Sequence, residues 1–309
     1  MWNSVTTSFK FLQGLDQHVR LQSTAYPRTL PDLSDGGMLI AASDYTGTQR
    51  QYDVIGCVVT SHRAWERWDE ERRRVRQMYR LGARRISYTK LNDKHKLRAL
   101  GPFLQAITRA EGLLCCVAIN KAIPSFVDAD GTEYAKDPQL DNWRHWKPEV
   151  FERMLRATSI VSFLVAGLSS PGQEVGWITD EDEIAANPVQ LQHLATAFGS
   201  MAGHFSSGRI PQVRVMTTAS DSGERETEDL ASVADLAAGT VADVFTALDR
   251  RGLKINVMKH LSVPEDVPPK ALRIGQWLLL KDHPLRRLFF VAEKGANYGD
   301  IAITPVTFN

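Results

Sequence analysis

Short apolar, β-branched runs alternate with amphipathic helical patterns along most of this 309-residue chain. Strands that alternate with helices form a largely parallel or mixed sheet, with helices packed on both of its faces. A short polar turn separates the first two strands, which predicts a hairpin. The sequence therefore predicts an α/β fold. The predicted strands are 38–44, 52–60, 84–88, 113–120, 174–179 and 212–217, and the predicted helices are 64–81, 94–111, 149–168, 188–205 and 228–249.

The same alternation sets the expected domain boundaries. Residues 1–37 end in a cluster of turn-forming residues and are predicted to be an N-terminal extension. Residues 38–252 form the predicted α/β domain, and the polar stretch 121–148 is predicted to be a surface insertion within it. Residues 253–309 are predicted to be a small C-terminal β appendage. Its strand-like pieces are 277–281, 287–292 and 300–306.

Charge and apolar patterning limit the compartment and the partners. The 37 Lys and Arg residues nearly balance the 36 Asp and Glu residues, and a formal net charge of +1 excludes a uniformly basic coat for nucleic acid. No apolar run reaches the roughly 20 residues that cross a bilayer, and the N-terminus lacks a secretion-signal pattern. Cys57, Cys115 and Cys116 form neither an even set nor a CxxC pair, which favours buried thiols. We expect a cytoplasmic protein with no membrane contact.

Three aspartates have positions that suggest a shared site. Asp44 and Asp180 each close a predicted strand, and ligands of α/β sheets collect outside the carboxyl ends of strands. Asp235 lies in the otherwise apolar helical stretch 230–239, where a carboxylate is costly to bury unless it is paired or binds a metal. Carboxylates that converge repel one another, and a divalent cation is the simplest compensation.

The order of these elements resembles the DUF3800 group of the ribonuclease H-like superfamily. An apolar strand runs into Asp44-Tyr-Thr-Gly47, a Val/Ile-rich strand and a long helix follow, and a late strand ends in Asp180 before the "Ala-Asp-Leu-Ala-Ala-Gly" helix around Asp235. The resemblance covers roughly residues 38–249. The family's first motif usually reads Asp-Glu-Ser-Gly, so here Tyr replaces the glutamate and Thr the serine. A family acid expected near residues 85–90 is missing.

The resemblance implies a ribonuclease H-like mixed sheet whose acids hold Mg²⁺ or Mn²⁺ and hydrolyse nucleic-acid phosphodiesters, in DNA or RNA. Asp44, Asp180 and Asp235 are then the expected catalytic and metal-binding residues, with Asp182 as a further metal ligand. Such carboxylates hold two ions about 3.5–4 Å apart, one activating water and the other stabilising the leaving oxygen. The other candidates for a supporting role are Asp221, Glu228 and Asp229.

Each aspartate also has a structural interpretation. Asp44 could simply be the first residue of a turn, because Asp before a Gly-containing tetrapeptide is common. The acidic run 180–183 could be a solvated cluster at a helix N-terminus, stabilised by the helix dipole. Asp235 is the most informative of the three, because its neighbours at helical spacing are apolar.

An arginine-rich stretch predicts contact with phosphates. Residues 63–85 contain nine arginines and four acids, and such a helix face attracts a nucleic-acid backbone in a salt-dependent way. A solvated face with intrahelical ion pairs is the alternative. Trp143 and Trp146 in the insertion are candidates for base stacking, although a packed loop also explains them. The predicted nucleic-acid-binding residues are Arg72, Arg73, Arg76 and Arg80.

The leading hypothesis is therefore a metal-dependent nuclease or nuclease-like phosphodiesterase. The alternative is a catalytically degenerate relative that binds nucleic acid or serves as an assembly subunit. A third hypothesis is a protein-interaction module that contacts a protein partner or a second copy through its C-terminal strands. The chain contains no P-loop, HExxH or GxSxG motif, which removes the NTPase, zincin and α/β-hydrolase classes.

Overall fold

A mixed sheet of eight strands forms the centre of the protein. In the computed structural model, the described residues are 2–34, 37–46, 51–123, 125, 146–221, 223–255, 258, 260–280, 283–295 and 301–308. The strands are β1 (Leu39–Tyr45), β2 (Tyr52–Ser61), β3 (Gly112–Asn120), β4 (Val175–Thr179), β5 (Val213–Thr217), β6 (His260–Leu261), β7 (Leu285–Lys294) and β8 (Ile301–Phe308). Their spatial order is β5-β4-β1-β2-β3-β7-β8-β6. The predicted α/β class with a mixed sheet is confirmed.

Strand direction places the carboxyl ends of several strands at one edge of the sheet. β1 pairs in parallel with β4, and β4 pairs in parallel with β5. β2 runs antiparallel to both β1 and β3, as the predicted hairpin requires, and β7 runs parallel to β3. The carboxyl ends of β1, β3, β4, β5 and β7 therefore lie at the same edge, which we call the carboxyl edge.

Helices cover both faces of the sheet, and each face has its own apolar core. The helices α2, α3, α6 and α7 pack on one face, and α1, α4 and α5 pack on the other. Alternate residues of β1 serve the two cores: Ile40 points to the first and Ala41 to the second. The helices are α1 (Lys10–Ala25), α2 (His62–Met78), α3 (Lys94–Thr108), α4 (Pro148–Leu168), α5 (Pro188–Phe205), α6 (Glu226–Arg250) and α7 (Pro269–Leu278).

Local capping residues explain where several helices begin. The Ser61 hydroxyl accepts a hydrogen bond from the Ala64 N–H at 3.3 Å and caps α2. Asn187 caps α5 in the same way, accepting from the Gln190 N–H at 3.0 Å, with Pro188 at the first helical position. Such side-chain oxygens satisfy backbone donors that the first helical turn leaves without partners.

Helix α6 is the longest helix and is mostly buried against β1, β2 and α7. By length and composition it could cross a membrane, but 83% of its most apolar window is buried inside the protein. That burial is typical of a core helix and is consistent with a soluble protein. Its close approach to β2 depends on Gly56, because a Cβ there would lie 2.5 Å from the Ala234 carbonyl oxygen.

The structure corrects two sequence predictions about the C-terminal region. Residues 277–281 were predicted to begin a β appendage, but Trp277 and Leu278 end helix α7. β7 pairs with β3 over eight residue pairs, so the last strands extend the main sheet rather than forming a separate appendage. The interior of β7 carries apolar side chains on both faces, which indicates a central strand rather than an edge.

Two further differences concern shorter segments. The predicted strand 84–88 has no strand partner, and a short 3₁₀ helix follows it at Tyr88–Lys90. The N-terminal extension contains α1, whose apolar face packs into the second core. Most of the predicted insertion, residues 124 and 126–145, lies outside the described residues.

Gly56→Ala tests whether the approach of α6 to β2 is as close as described. The added methyl must displace backbone, so we expect the free energy of unfolding to fall by roughly 1–3 kcal/mol. Gly101→Ala is the matched control, because Gly101 is exposed in α3 and has nothing within 4 Å of its Cβ position. It should be neutral or stabilising. Urea unfolding of both variants measures the difference, and equal effects would contradict the close contact.

Candidate functional site

Strand register places Asp44 and Asp180 side by side at the carboxyl edge. Ala42 of β1 pairs with Ile178 of β4. Asp44 lies two residues after Ala42, and Asp180 lies two residues after Ile178. Side chains two residues apart point to the same face of a sheet. Ala42 and Ile178 belong to the core that α6 covers. Both carboxylates therefore lie on the α6 side of the sheet.

Helix α6 brings the third aspartate to the same place. The Ala234 carbonyl packs against Gly56 of β2, and Gly56 is the register partner of Asp44. Asp235 follows Ala234 directly and is a partly exposed residue within the buried run 228–242 of α6. The three sequence-predicted aspartates thus approach one region of the carboxyl edge, from β1, from the end of β4 and from α6, and the charges of Asp180 and Asp235 affect the pKa of Asp44.

The electrostatics of the three carboxylates reflect their proximity. Burial, followed by the charges of Asp235 and Asp180, raises the pKa of Asp44 well above its usual value. Burial also raises the pKa of Asp235 to about 6, and the Asp180 charge adds to that shift. Carboxylates that share a site without enough positive charge keep protons more tightly. Burial is the main cause of both shifts, and the positive charges of Arg85 and Lys270 only partly offset the rise in the pKa of Asp235.

Asp182 lies at the side of this cluster. Burial and the charge of Asp180 raise its pKa, and its charge in turn raises the pKa of Asp44. It neighbours Tyr45, whose pKa is raised by burial and by Asp182. The Arg153 guanidinium of α4 stacks over the Tyr45 ring, 5.3 Å from its centroid. Asp182 is thus close enough to Asp44 to act on the same site.

Arg85 is the residue that sequence reasoning missed. Its guanidinium forms an ion pair with Asp180 and a second one with Glu228, at 3.1 Å. Burial alone would raise the pKa of Asp180, but hydrogen bonds from Arg85 and from the Thr218 hydroxyl at 2.7 Å bring it below its usual value. Arg85 lies in the segment 85–90, where the resemblance predicted an acid. That position was the sequence feature that could have pointed to a role for Arg85 at the site.

Tyr88 and Gly239 hold Asp235 in place. The Tyr88 N–H donates a 2.6 Å hydrogen bond to Asp235, which opposes the rise in its pKa. The Tyr88 ring packs so closely on Gly239, one helical turn after Asp235, that a Cβ at Gly239 would clash with it. The Lys270 ammonium donates to the Tyr88 carbonyl at 2.7 Å from the opposite side. The glycine of the "Ala-Asp-Leu-Ala-Ala-Gly" motif therefore makes room for the tyrosine that orients its aspartate.

The remaining acidic candidates have structural roles. Asp221 accepts hydrogen bonds from the Thr227 N–H and the Arg225 N–H, at 3.0 and 2.8 Å, at the start of α6. Asp229 is fully buried and pairs with two arginines of α2. Glu228 pairs with Arg225 and with Arg85, so it reaches the site only through Arg85.

The donor set suits a hard divalent cation, although it is not already arranged around one. Among the described residues, no group of three or more His, Cys, Asp or Glu side chains is positioned to hold a metal ion together. All the donors that meet here are carboxylates, the ligands that Mg²⁺ and Mn²⁺ prefer. Burial and neighbouring carboxylates raise the pKa values of Asp44 and Asp235, and a bound cation would favour their ionised forms. The residues therefore fit the metal that the resemblance implies.

Two of the four arginines predicted to bind phosphates, Arg72 and Arg76, are buried. Arg72 has a fully buried side chain that pairs with Asp69 and Asp229, and Arg76 is 8% exposed and pairs with Asp229 at 2.7 Å. Buried, paired arginines cannot reach a nucleic-acid backbone. Arg73 is 52% exposed and pairs with Asp69 at 2.6 Å, and Arg80 is exposed at the end of the helix.

The structure also removes Trp146 as a candidate for base stacking. Trp146 is buried, and its indole N–H donates to His193 at 3.1 Å while its ring packs against Phe151. A packed side chain of this kind is not a stacking surface for bases. Trp143 lies outside the described residues.

Comparisons with known proteins add no family assignment. The chain matches no model of a known protein family and no curated protein. Any functional proposal therefore rests on the geometry of the site.

The raised pKa of Asp235 predicts a pH dependence of stability. A folded-state pKa of about 6 against the ordinary 3.8 means that the folded protein holds this proton more tightly than the unfolded chain. The resulting stabilisation is full below about pH 4 and is lost as pH rises through 6, with about 1–1.5 kcal/mol of the loss between pH 5 and pH 8.

Asp235→Asn removes that titration. We expect the free energy of urea unfolding, measured with a metal chelator present, to fall more between pH 5 and pH 8 for the wild type than for this variant. Identical falls in the two proteins would contradict the raised pKa of Asp235.

Proposed function

We propose that this protein is a metal-dependent nuclease or nuclease-like phosphodiesterase of ribonuclease H-like fold. The observation that carries the proposal is the meeting of Asp44, Asp180 and Asp235 from three separate elements at the carboxyl edge, with two of their pKa values raised. Asp182 beside them is a fourth candidate ligand. Ligands of α/β sheets bind at this edge.

Electrostatics support a divalent cation as the cofactor. Asp44 and Asp235 would hold Mg²⁺ or Mn²⁺, with Asp180 and Asp182 next to them. When bound, such an ion lowers the pKa of a water molecule enough to make it a nucleophile at neutral pH. Because the carboxylates must be deprotonated to bind, metal affinity should weaken as the pH falls toward 6.

Backbone and arginine donors give the carboxylates defined positions. The Tyr45 N–H donates to Asp44 at 2.6 Å, and the Tyr88 N–H holds Asp235. The Arg85 side chain holds Asp180 and is 30% exposed, so its guanidinium could also contact a substrate phosphate. Arginine forks match phosphate oxygens in geometry and charge.

The outer side of α2 supports an attraction to nucleic acid. Its exposed arginines include Arg63, Arg67, Arg73 and Arg80. Of these, only Arg73 has an acidic partner among the described residues. A phosphate backbone would find unneutralised positive charge there.

Arg85 also favours a second candidate function, a catalytically degenerate subunit that binds nucleic acid. Its ion pair with Asp180 places a permanent positive charge beside the acids. A guanidinium there provides part of the neutralisation that a metal would provide. The segment around Arg85 also lacks the family's acid.

Asn variants of the acids test the catalytic proposal. Asp44→Asn and Asp235→Asn should each lower Mn²⁺-dependent cleavage of labelled DNA and RNA by at least about 100-fold, because each removes a metal ligand. Asp249→Asn is the matched control, since Asp249 is exposed on the same helix far from the cluster. Cleavage that persists in both site variants would indicate a contaminating nuclease or another site.

The two candidate functions separate on metal binding. Calorimetric titration with Mn²⁺ at pH 8 should show binding by the wild type and none by Asp44→Asn if the site is an enzyme's metal centre. If Mn²⁺ binds only after Arg85→Gln, the arginine occupies the cation's role and the degenerate subunit is correct.

The revised basic surface predicts a change in salt dependence. Arg73→Gln with Arg80→Gln should weaken binding to all duplex sequences and make the salt slope shallower by up to about 0.9 for each lost phosphate contact. Arg214→Gln, an exposed change on β5, is the control. Because Arg73 pairs with Asp69, a circular dichroism melt must accompany the measurement. An unchanged slope with an unchanged melt would identify this surface as solvated structure only.

A further inference from the structure

A second site candidate lies at the opposite edge of the sheet from the aspartates. A cavity of about 560 Å³ opens where the first residues of β7 meet the last residues of β8 and the C-terminal end of α7. Because β7 runs parallel to β3 and β1, its first residues lie far from the carboxyl edge. We call this space the arginine cavity. Arg28, Arg286, Arg287, Leu279, Phe289 and Phe308 are among its lining residues.

The described residues that line the arginine cavity include arginines but no acids. Its described lining contains three arginines and two histidines but no aspartate or glutamate. Within the described part of the chain, none of Arg28, Arg286 and Arg287 forms an ion pair. Elsewhere many arginines have acidic partners, as Arg72 and Arg156 do. Asp32 and Glu111 line the adjoining pocket together with Arg28 and Arg286, although no described ion pair joins them, and Arg287 is not among the residues of that pocket. Arg287 is therefore the arginine at which the positive charge of the cavity is least offset by described acids.

Arg287 is the least satisfied of the three. Its Nη1 donates to the Leu280 carbonyl, but its Nε and Nη2 atoms are buried and have no hydrogen-bond partner among the described residues. The guanidinium lies over the Trp277 ring, 4.8 Å from the centroid, which fixes its plane. Burial lowers the pKa of Arg287 to about 10, so it is still charged at neutral pH. A buried cation without partners is costly unless an anion joins it.

Leucine and phenylalanine side chains form the apolar part of the lining. Leu278, Leu279 and Leu280 come from the end of α7, and Phe289 and Phe308 pack edge to face with ring centroids 4.7 Å apart. The volume is in the range of small-molecule sites, which are mostly apolar with a few placed polar groups. An inorganic anion alone would fill only a small part of it.

We propose that the arginine cavity binds a small organic anion, in which a carboxylate or phosphate group is joined to an apolar body. The anionic group would be held by the partnerless Nε and Nη2 atoms of Arg287, on the face of β7 that also carries Phe289. Arg286 projects from the opposite face of β7 and, with the exposed Arg28, adds positive charge at the rim. Arginine binds both groups through paired hydrogen bonds, and the leucine and phenylalanine side chains receive the apolar body. This site is independent of the aspartate cluster.

Calorimetry with matched probes tests the proposal. 1-Naphthyl phosphate and 1-naphthoate represent the two anionic groups, 1-naphthol is the uncharged match, and inorganic phosphate is the match without an apolar body. At least one naphthyl anion should bind with a stoichiometry of one and at least tenfold more tightly than 1-naphthol or phosphate. Which anion binds better identifies the group that the cavity prefers.

Arginine variants locate the binding. Arg287→Gln removes the partnerless donors and should lower the affinity at least tenfold, but it also disturbs the contact with Trp277 and needs a melt beside it. Arg28→Gln with Arg286→Gln removes two rim side chains that have no ion pair in the described structure, so the fold should persist, and the affinity should fall by a smaller factor. Arg214→Gln and Asp44→Asn should leave the affinity unchanged.

Three results would overturn the proposal. One is the absence of binding by either naphthyl anion at millimolar concentration. Another is equal binding by 1-naphthol or by inorganic phosphate, which would remove the need for the charge or for the apolar body. The third is binding that survives both sets of arginine changes.

Discussion

The candidate site depends on how closely helix α6 approaches strand β2. Gly56 has no side chain, and the Ala234 carbonyl occupies the space that a Cβ would fill. Because Gly56 pairs with Asp44 across the sheet, this contact helps to set the separation of Asp235 from Asp44. A larger residue at position 56 would move the helix and separate the carboxylates. A change in the packing between α6 and β2 would therefore also change the electrostatics of the site.

Buried charge as well as apolar contact fixes the start of α6. Asp229 is fully buried between Arg72 and Arg76 of α2, and the carbonyls of Gly82 and Arg84 accept hydrogen bonds from Arg76. Burial raises the pKa of Asp229 to about 6 despite the two arginines. Removing one partner from such a network leaves an uncompensated charge in the core, which is more costly than the pair is favourable. The network also holds the segment that carries Arg85, so it positions the arginine that pairs with Asp180.

The sequence predicts the sheet class and the order of most elements, because these follow from periodicity. Strand ends place Asp44 and Asp180 at the carboxyl edge, and the apolar neighbours of Asp235 single it out, but their shared metal site stays a prediction. The sequence could not identify β7 as a central strand, since pairing with β3 is a contact between distant segments that local pattern does not encode. It also predicted Arg72 and Arg76 as surface residues. Charge and helical spacing alone do not distinguish an exposed arginine from one whose partner, Asp229, lies more than 150 residues away. Arg85 was missed at the site for the same reason, since its partner Asp180 lies 95 residues away in sequence.

The two edges of the sheet carry clusters of ionisable groups of opposite sign. At the carboxyl edge, burial and neighbouring carboxylates raise the pKa values of Asp44 and Asp235. At the other edge, the arginine cavity contains cations with no acidic partner in the described structure, and the pKa of Arg287 falls. In a chain of net charge +1, these groups could have neutralised one another had the fold brought them together. The sheet instead holds them apart, and each edge is left with the charge that would attract a ligand of the opposite sign: a cation at the aspartates and an organic anion at the arginines.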